Sequence, residues 1–355
     1  MIIKKSLMLF FIFLIFLGVS SFFIFCRPKK TEIIFETNKE KKENFNPALL
    51  KWEKATLNAP WSARDSHTTT VFKDKIWLMG GLEGGKIRNN PQYEQLPHKS
   101  DIWNSENGKD WQLVTDTAKW RERRSVGLVV FKEKLWLMGG WQQKWGETKN
   151  DVWSSEDGIN WNIVSASASW QPREGHAVVV FKDKIWVVGG VDFFQRKTFN
   201  DVWSSEDGVN WVEVSPQAPW SPRYDHTITV FKGKLWLIGG LNFGNQIKND
   251  IWVSEDGLNW QQVSENPPWL GRHGHVSMEF NDRIWIIGGW SKEGGLNDTW
   301  YSGDGYKWEK VDEKAPWPGR EDHSGVVFND KIWIMGGMAD EDDFLIWKND
   351  VWYSI

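Results

Sequence analysis

The sequence predicts an all-β chain: a β-propeller of six repeated blades, each of four antiparallel strands, behind one N-terminal apolar segment. Three observations carry this expectation. Glycine pairs recur at Gly80-Gly81, Gly139-Gly140, Gly189-Gly190, Gly239-Gly240, Gly288-Gly289 and Gly336-Gly337, about every 50 residues. Each pair closes an apolar stretch such as Lys184-Ile185-Trp186-Val187-Val188. Each is followed by Asp-x-Trp, at Asp101/Trp103, Asp151/Trp153, Asp201/Trp203, Asp250/Trp252, Asp298/Trp300 and Asp350/Trp352. The third observation is a load of 28 tryptophans, well above ordinary usage, that follows the same period.

In chain order, the first element is apolar. Lys4 and Lys5 precede an uncharged run from Ser6 to Phe25, which as a helix would span roughly 30 Å, the thickness of a bilayer core. Residues 1–26 are read as an uncleaved transmembrane anchor. Gly18-Val19-Ser20 leaves a cleaved signal peptide as an alternative, and Cys26 a lipid attachment, although Phe25 before it is not the small residue such sites carry. The short basic N-terminus favours a domain outside the cytoplasm, while Arg27, Lys29 and Lys30 compete for the opposite orientation. Residues 27–47, rich in Lys and Glu, read as a solvated linker, and 48–355 as one propeller, because repeat units complete their cores only against neighbours.

Composition narrows the function classes. A net charge of −4 provides no single-sign field of the kind nucleic-acid binding requires. The single cysteine, Cys26, can form neither an internal disulfide nor a thiolate metal site by itself. No cofactor and no metal are expected.

Within a blade, turn chemistry places the strands. In the third repeat, strand a is expected at 176–181, b at 184–188, c at 201–205 and d at 210–214. Lys182-Asp183 joins a to b, and Asp207-Gly208, suited to positive φ, joins c to d. Only five d strands follow the c strands, with Trp111, Trp161, Trp211, Trp260 and Trp308. The sixth lies at the front, where Lys51-Trp52-Glu53-Lys54 precedes Ala59-Pro60-Trp61 as Lys307-Trp308-Glu309-Lys310 precedes Ala315-Pro316-Trp317. The N-terminal strand is therefore expected to complete the last blade and remove the open edge of the ring.

An apolar strand ending in a glycine pair, then Asp-x-Trp, then a turn and a further Trp resembles the kelch repeat, and the resemblance covers residues 48 to 355. It implies that strand a is innermost, and it offers little about function, because kelch propellers serve unrelated roles.

All but four of the tryptophans occupy one position per blade in strand b, strand c, strand d or the d-to-a loop, and are expected to pack between blades with each indole N–H on a fixed acceptor. The remaining four, Trp141, Trp145, Trp290 and Trp347, sit in b-to-c loops. Antiparallel order puts the b-to-c and d-to-a loops on one face. These loops vary, from the stretch with Tyr93 and His98 to Phe193, Phe194 and Phe199, Phe243, and Asp340 to Trp347. Variable aromatic loops on a rigid scaffold suit recognition, although the aromatics can equally pack onto the rim.

A second repeated element, Trp-x-x-Arg-x-x-His, opens strand a. Its arginines are Arg64, Arg123, Arg173, Arg223, Arg272 and Arg320; its histidines are His67, His176, His226, His275 and His323, with Val126 in the second blade. Each arginine either pairs with a blade carboxylate or contributes to a cationic funnel for an anionic group. The residues after each arginine break the repeat and are the stronger specificity candidates: Asp65, Arg124, Glu174, Tyr224, His273 and Glu321.

The expected function is a non-catalytic, monomeric binding module taking a protein or glycan ligand, anionic if the funnel forms, on the loop face. Two alternatives stand beside it, a structural scaffold and a sugar-processing enzyme. Galactose oxidase chemistry is excluded, since it needs a tyrosine bonded to a cysteine and Cys26 lies outside the repeats. Some bacterial kelch propellers resemble sialic acid mutarotases, which need only an acid, a base and an arginine; Glu174 beside Arg173, or Glu321 beside Arg320, has that composition.

Overall fold

The computed structural model describes residues 45–88, 95–142, 146–311 and 314–355. The apolar segment 1–26 and the linker up to residue 44 lie outside the described residues, as do Tyr93 and Trp145. Among the described residues no helix is long and apolar enough to cross a membrane. They are all-β apart from a single 3-10 turn at Pro47–Leu49.

The strands pair within each repeat. In the third, Ala177–Phe181, Lys184–Asp192, Lys197–Ser205 and Val212–Ser215 hydrogen-bond in that order as one antiparallel sheet. Lys182 and Asp183 turn between the first two with φ of 49° and 54°, the positive pair that a tight hairpin following the strand twist requires. Strands b and c run longer than expected. Past a bulge at Gly189-Gly190 the hairpin resumes, with Gly190 opposite Phe199 and Asp192 opposite Lys197, so the base of the b-to-c loop is itself ladder.

The same order recurs in the sheets that begin at Thr68, Gly127, Thr227 and Val276. In the sheet of Ser324–Phe328, Lys331–Met335 and Val351–Ser354, the outer strand is Trp52–Thr56 from the front of the chain, with Trp52 opposite Ser354. The a strands pack beside one another: Thr68–Phe72 neighbours Gly127–Phe131 on one side and Ser324–Phe328 on the other. One further four-stranded sheet stands outside the repeat. It joins Lys86–Arg88 of the first b-to-c loop to Phe344–Trp347, Met338–Glu341 and Arg320–Glu321 of the sixth repeat.

The core lies between sheets. Phe72, Trp77, Met79 and Ile102 of the first repeat bury against Trp120, Leu135, Leu137 and Trp161 of the second, and Ile76, Leu78 and Trp111 against Trp61, Trp333 and Tyr353. Strand-b tryptophans tie the ends of their own hairpins, Trp186 Nε1 donating to Phe181 O at 2.8 Å. They also cover the next repeat's turn: a Cβ on Gly208 would lie 2.1 Å from the Trp136 ring, so this glycine answers to packing as much as to its φ of 73°. The d-to-a loop tryptophans differ from expectation. Trp61, Trp120, Trp170, Trp220 and Trp317 are buried, but their Nε1 atoms find no acceptor, so they contribute apolar area alone.

Candidate functional site

The glycine pair, the Asp-x-Trp and the Arg-x-x-His motifs meet in one node per repeat. In the third, Arg173 Nη1 and Nη2 donate to Asp201 Oδ1 and Oδ2 at 2.6 and 2.8 Å, Nη1 also reaches Gly189 O at 2.8 Å, and Trp203 Nε1 donates to Asp201 Oδ2 at 2.9 Å. Arg64–Asp101, Arg123–Asp151, Arg223–Asp250, Arg272–Asp298 and Arg320–Asp350 repeat it. Every one of these arginines is at most 2 % exposed. Of the two readings open for Arg64, Arg123, Arg173, Arg223, Arg272 and Arg320, this is the pairing with a blade carboxylate and not the cationic funnel. Each guanidinium is neutralised by a bidentate carboxylate of its own repeat and presents no free fork to a ligand.

The side chains that follow form three layers. Directly after each arginine, a short backbone bridge to the b-to-c loop fixes the residue: Arg124 opposite Trp141, Glu174 opposite Val191, Tyr224 opposite Leu241, His273 opposite Trp290. Asp65 pairs with Leu82 and Glu321 with Met338 in the same way. All six of these repeat-breaking residues line one cavity of about 400 Å³, together with Leu82, Trp141, Phe193, Leu241 and Met338. In the second layer Ser66, Ser125, Gly175, Asp225, Gly274 and Asp322 all take left-handed backbone, φ 49° to 60°, uncommon for residues that carry a side chain. That conformation turns their amides around the cavity floor, Ser125 N to Ser66 O, Ser66 N to Asp322 O, Asp322 N to Gly274 O, Gly274 N to Asp225 O and Asp225 N to Gly175 O, each at 2.8 to 3.0 Å. The third layer is the histidines. Their rings bridge repeats: a Cβ on Gly189 would meet His226 Cε1 at 2.7 Å, which is why glycine and histidine recur together.

Electrostatically, the cavity is acidic. Asp65, Glu174, Asp225, Glu321 and Asp322 line it against Arg124 as the one Arg or Lys among the lining residues. Arg124 Nε donates to Glu174 Oε2 at 3.0 Å and its guanidinium lies 5.1 Å from the Trp141 ring. His273 Nδ1 lies 3.2 Å from Glu321 Oε2. Burial, then the neighbouring Asp322 charge, pushes the Asp65 carboxyl up to about 8. Burial followed by repulsion from Asp322 raises Asp225 and Glu321 well above the carboxylate range. The His273 imidazole is held down at about 4 by burial. The cavity is thus lined by carboxyl groups, several of them held protonated by burial, rather than by free guanidinium groups.

Of the loop aromatics, Trp141 is half-buried at the rim, and Phe193, 38 % exposed, stacks edge-to-face on Tyr224 at 5.4 Å. Three others need correction. Trp347 is 3 % exposed and buries its face among Leu82, Met338 and Leu345, its Nε1 donating to Asp65 Oδ2 at 3.0 Å; it positions Asp65 rather than offering a surface. Trp290 packs against that same cluster and does not line the cavity. Phe194, 84 % exposed, is not among the residues that line it. Ser66, Ser125, Asp225 and Asp322 escaped the sequence argument, although they too break the repeat, one position further on.

Stacked four-stranded sheets with Arg–Asp nodes and a loop-face cavity define a kelch-type, propeller-like protein. Residues 125–337 match the model of the KLHDC2/KLHL20/DRC7 Kelch-repeats domain, and the chain belongs to the kelch-repeat family. Among solved structures it is similar to "Structure of YjhT", with TM-score 0.66 and 16 % sequence identity over 84 % of this chain and 96 % of that one. No curated protein matches it.

Proposed function

We propose that this chain is a membrane-tethered binding protein of bacterial type, and that it takes one sugar unit of a glycan into the loop-face cavity of a closed, six-bladed propeller. Closure is supported by the packing of each a strand between two others and by the pairing of Trp52–Thr56 with Val351–Ser354. The apolar run Ser6 to Phe25 supports the tether, with the propeller on the extracytoplasmic side. The observation that carries the ligand reading is convergence: the six side chains that vary between repeats meet at one cavity, which the half-buried Trp141 and the exposed Phe193 also line. About 400 Å³ falls within the range of small-ligand sites. Carboxylates that accept from neighbouring hydroxyls, with an aromatic face for the C–H side of the ring, are the groups a pyranose needs.

The test is binding of the full chain to a glycan array, repeated with Trp141→Ala. Saturable binding weakened at least tenfold by the substitution is expected. Unchanged binding would move the ligand off this cavity, and no binding to any glycan would favour a protein partner.

A second reading, a sugar-processing enzyme, is favoured by the Asp65 carboxyl at about 8 beside the His273–Glu321 pair, since acid–base groups near neutrality speed proton transfer by roughly 10²- to 10⁴-fold. It predicts that catalytic amounts of protein accelerate anomer exchange of a bound sugar, read by NMR, and that Asp65→Asn removes the acceleration. Exchange at the solvent rate in saturating sugar would rule it out.

A further inference from the structure

The sugar-binding reading leaves the charge of the ligand undetermined, and two buried atoms bear on it. Asp65 is 3 % exposed and Glu174 2 %. Each uses one carboxylate oxygen, Asp65 Oδ2 accepting from Trp347 and Glu174 Oε2 from Arg124. The other oxygens, Asp65 Oδ1 and Glu174 Oε1, have no hydrogen-bond partner, although both side chains line the cavity. An orphaned buried acceptor costs about 1–3 kcal/mol, so a ligand that brings N–H donors relieves it, and one that also brings positive charge favours the ionised carboxylate over the protonated one.

The surroundings point the same way. Five lining carboxyl groups face one guanidinium that is already paired with Glu174. Trp141, Phe193 and Tyr224 also line the cavity, and aromatic rings attract cations as well as sugar C–H groups.

We propose that the cavity is selective for a sugar bearing a free, protonated amine, whose ammonium donates to Asp65 Oδ1 or Glu174 Oε1. The inference rests on the sugar-binding reading above and adds the substrate class to it. It has a proton signature: Asp322, Arg124, Asp225 and Glu321 face Asp65, and burial with the Asp322 charge keeps its carboxyl largely protonated at pH 7. An arriving ammonium stabilises the ionised form, so binding releases protons.

The experiment is calorimetric titration of the full chain at pH 7 with the gluco, galacto and manno hexosamines, their parent hexoses and their N-acetyl forms. At least one hexosamine is expected to bind tenfold or more tightly than both its parent hexose and its N-acetyl form, with proton release seen by repeating the titration in buffers of different ionisation enthalpy. The double variant Asp65→Asn/Glu174→Gln is expected to bring the hexosamine-to-hexose ratio to about one, whatever its absolute affinities. Equal binding of hexose and hexosamine would overturn this inference while leaving the sugar-binding reading intact, and proton release would assign the ammonium to Asp65 rather than to Glu174. A preference that survives in a folded double variant would overturn it too, and failure of every sugar to bind would remove both.

Discussion

Replacing Asp201 by alanine is expected to cost the fold about 3–5 kcal/mol, the range for breaking a buried ion pair by removing one partner. The chain of effects is local. Arg173 is 0 % exposed, so its charge cannot turn to water when the carboxylate goes. Trp203 Nε1 loses its acceptor in the same step. Lys184–Glu206, in the same blade, is the control: its 3.1 Å contact joins side chains 39 % and 73 % exposed, and Glu206→Ala is expected to cost less than about 1 kcal/mol because water replaces the partner. Replacing both members of the buried pair, Arg173→Met with Asp201→Leu, should recover part of the loss, since no charge is stranded. Urea denaturation separates these cases. Equal costs for Asp201→Ala and Glu206→Ala would mean that the nodes are not what joins strands a, b and c.

His226→Val is expected to change the pH dependence of stability by one proton. Burial, then the Arg223 charge, holds the His226 imidazole down at about 3 in the folded chain, against about 6.5 when unfolded. Above the unfolded value both states are neutral and the group contributes no slope. Below it the unfolded chain takes up a proton that the folded chain refuses, and stability falls by about 1.4 kcal/mol per pH unit until the folded value is reached. Valine, which the second repeat carries as Val126, has no such proton. The variant, compared with the parent by denaturation at pH 8 and again at pH 5, should therefore gain about 2 kcal/mol on the parent between the two. A stability difference that is the same at both values would contradict the assigned burial. His67, His176 and His323 are lowered in the same way, so each is expected to respond alike.

What the sequence made legible was whatever repeats. The strand order within a blade, the five in-line outer strands and the front placement of Trp52 followed from one period and from turn dipeptides, and the six specificity candidates followed from asking which inward positions refuse to repeat. What it hid was partnership across space. The Arg-x-x-His and Asp-x-Trp motifs were both visible, yet Arg173 and Asp201 stand 28 residues apart, and only the sheet brings them together. Pairing with a blade carboxylate was therefore one of two open readings of the six arginines, and the sequence did not say which carboxylate would be the partner. Trp347 was misread for a similar reason. Its loop folds as the hairpin of Met338–Glu341 and Phe344–Trp347 and pairs with Lys86–Arg88 of a distant repeat, which no local pattern announces. The bulge at Gly189-Gly190 likewise concealed the longer b–c ladder.

The position of the ligand decides whether the loop-face cavity is the binding site. A crystal structure of the protein with its tightest-binding sugar is the most direct measurement. The sugar is expected inside the cavity, stacked on Trp141 or Phe193 and within hydrogen-bond distance of Asp65 or Glu174. Sugar bound on the a-to-b and c-to-d turn face, or between loops away from Glu174 and Asp65, would contradict it.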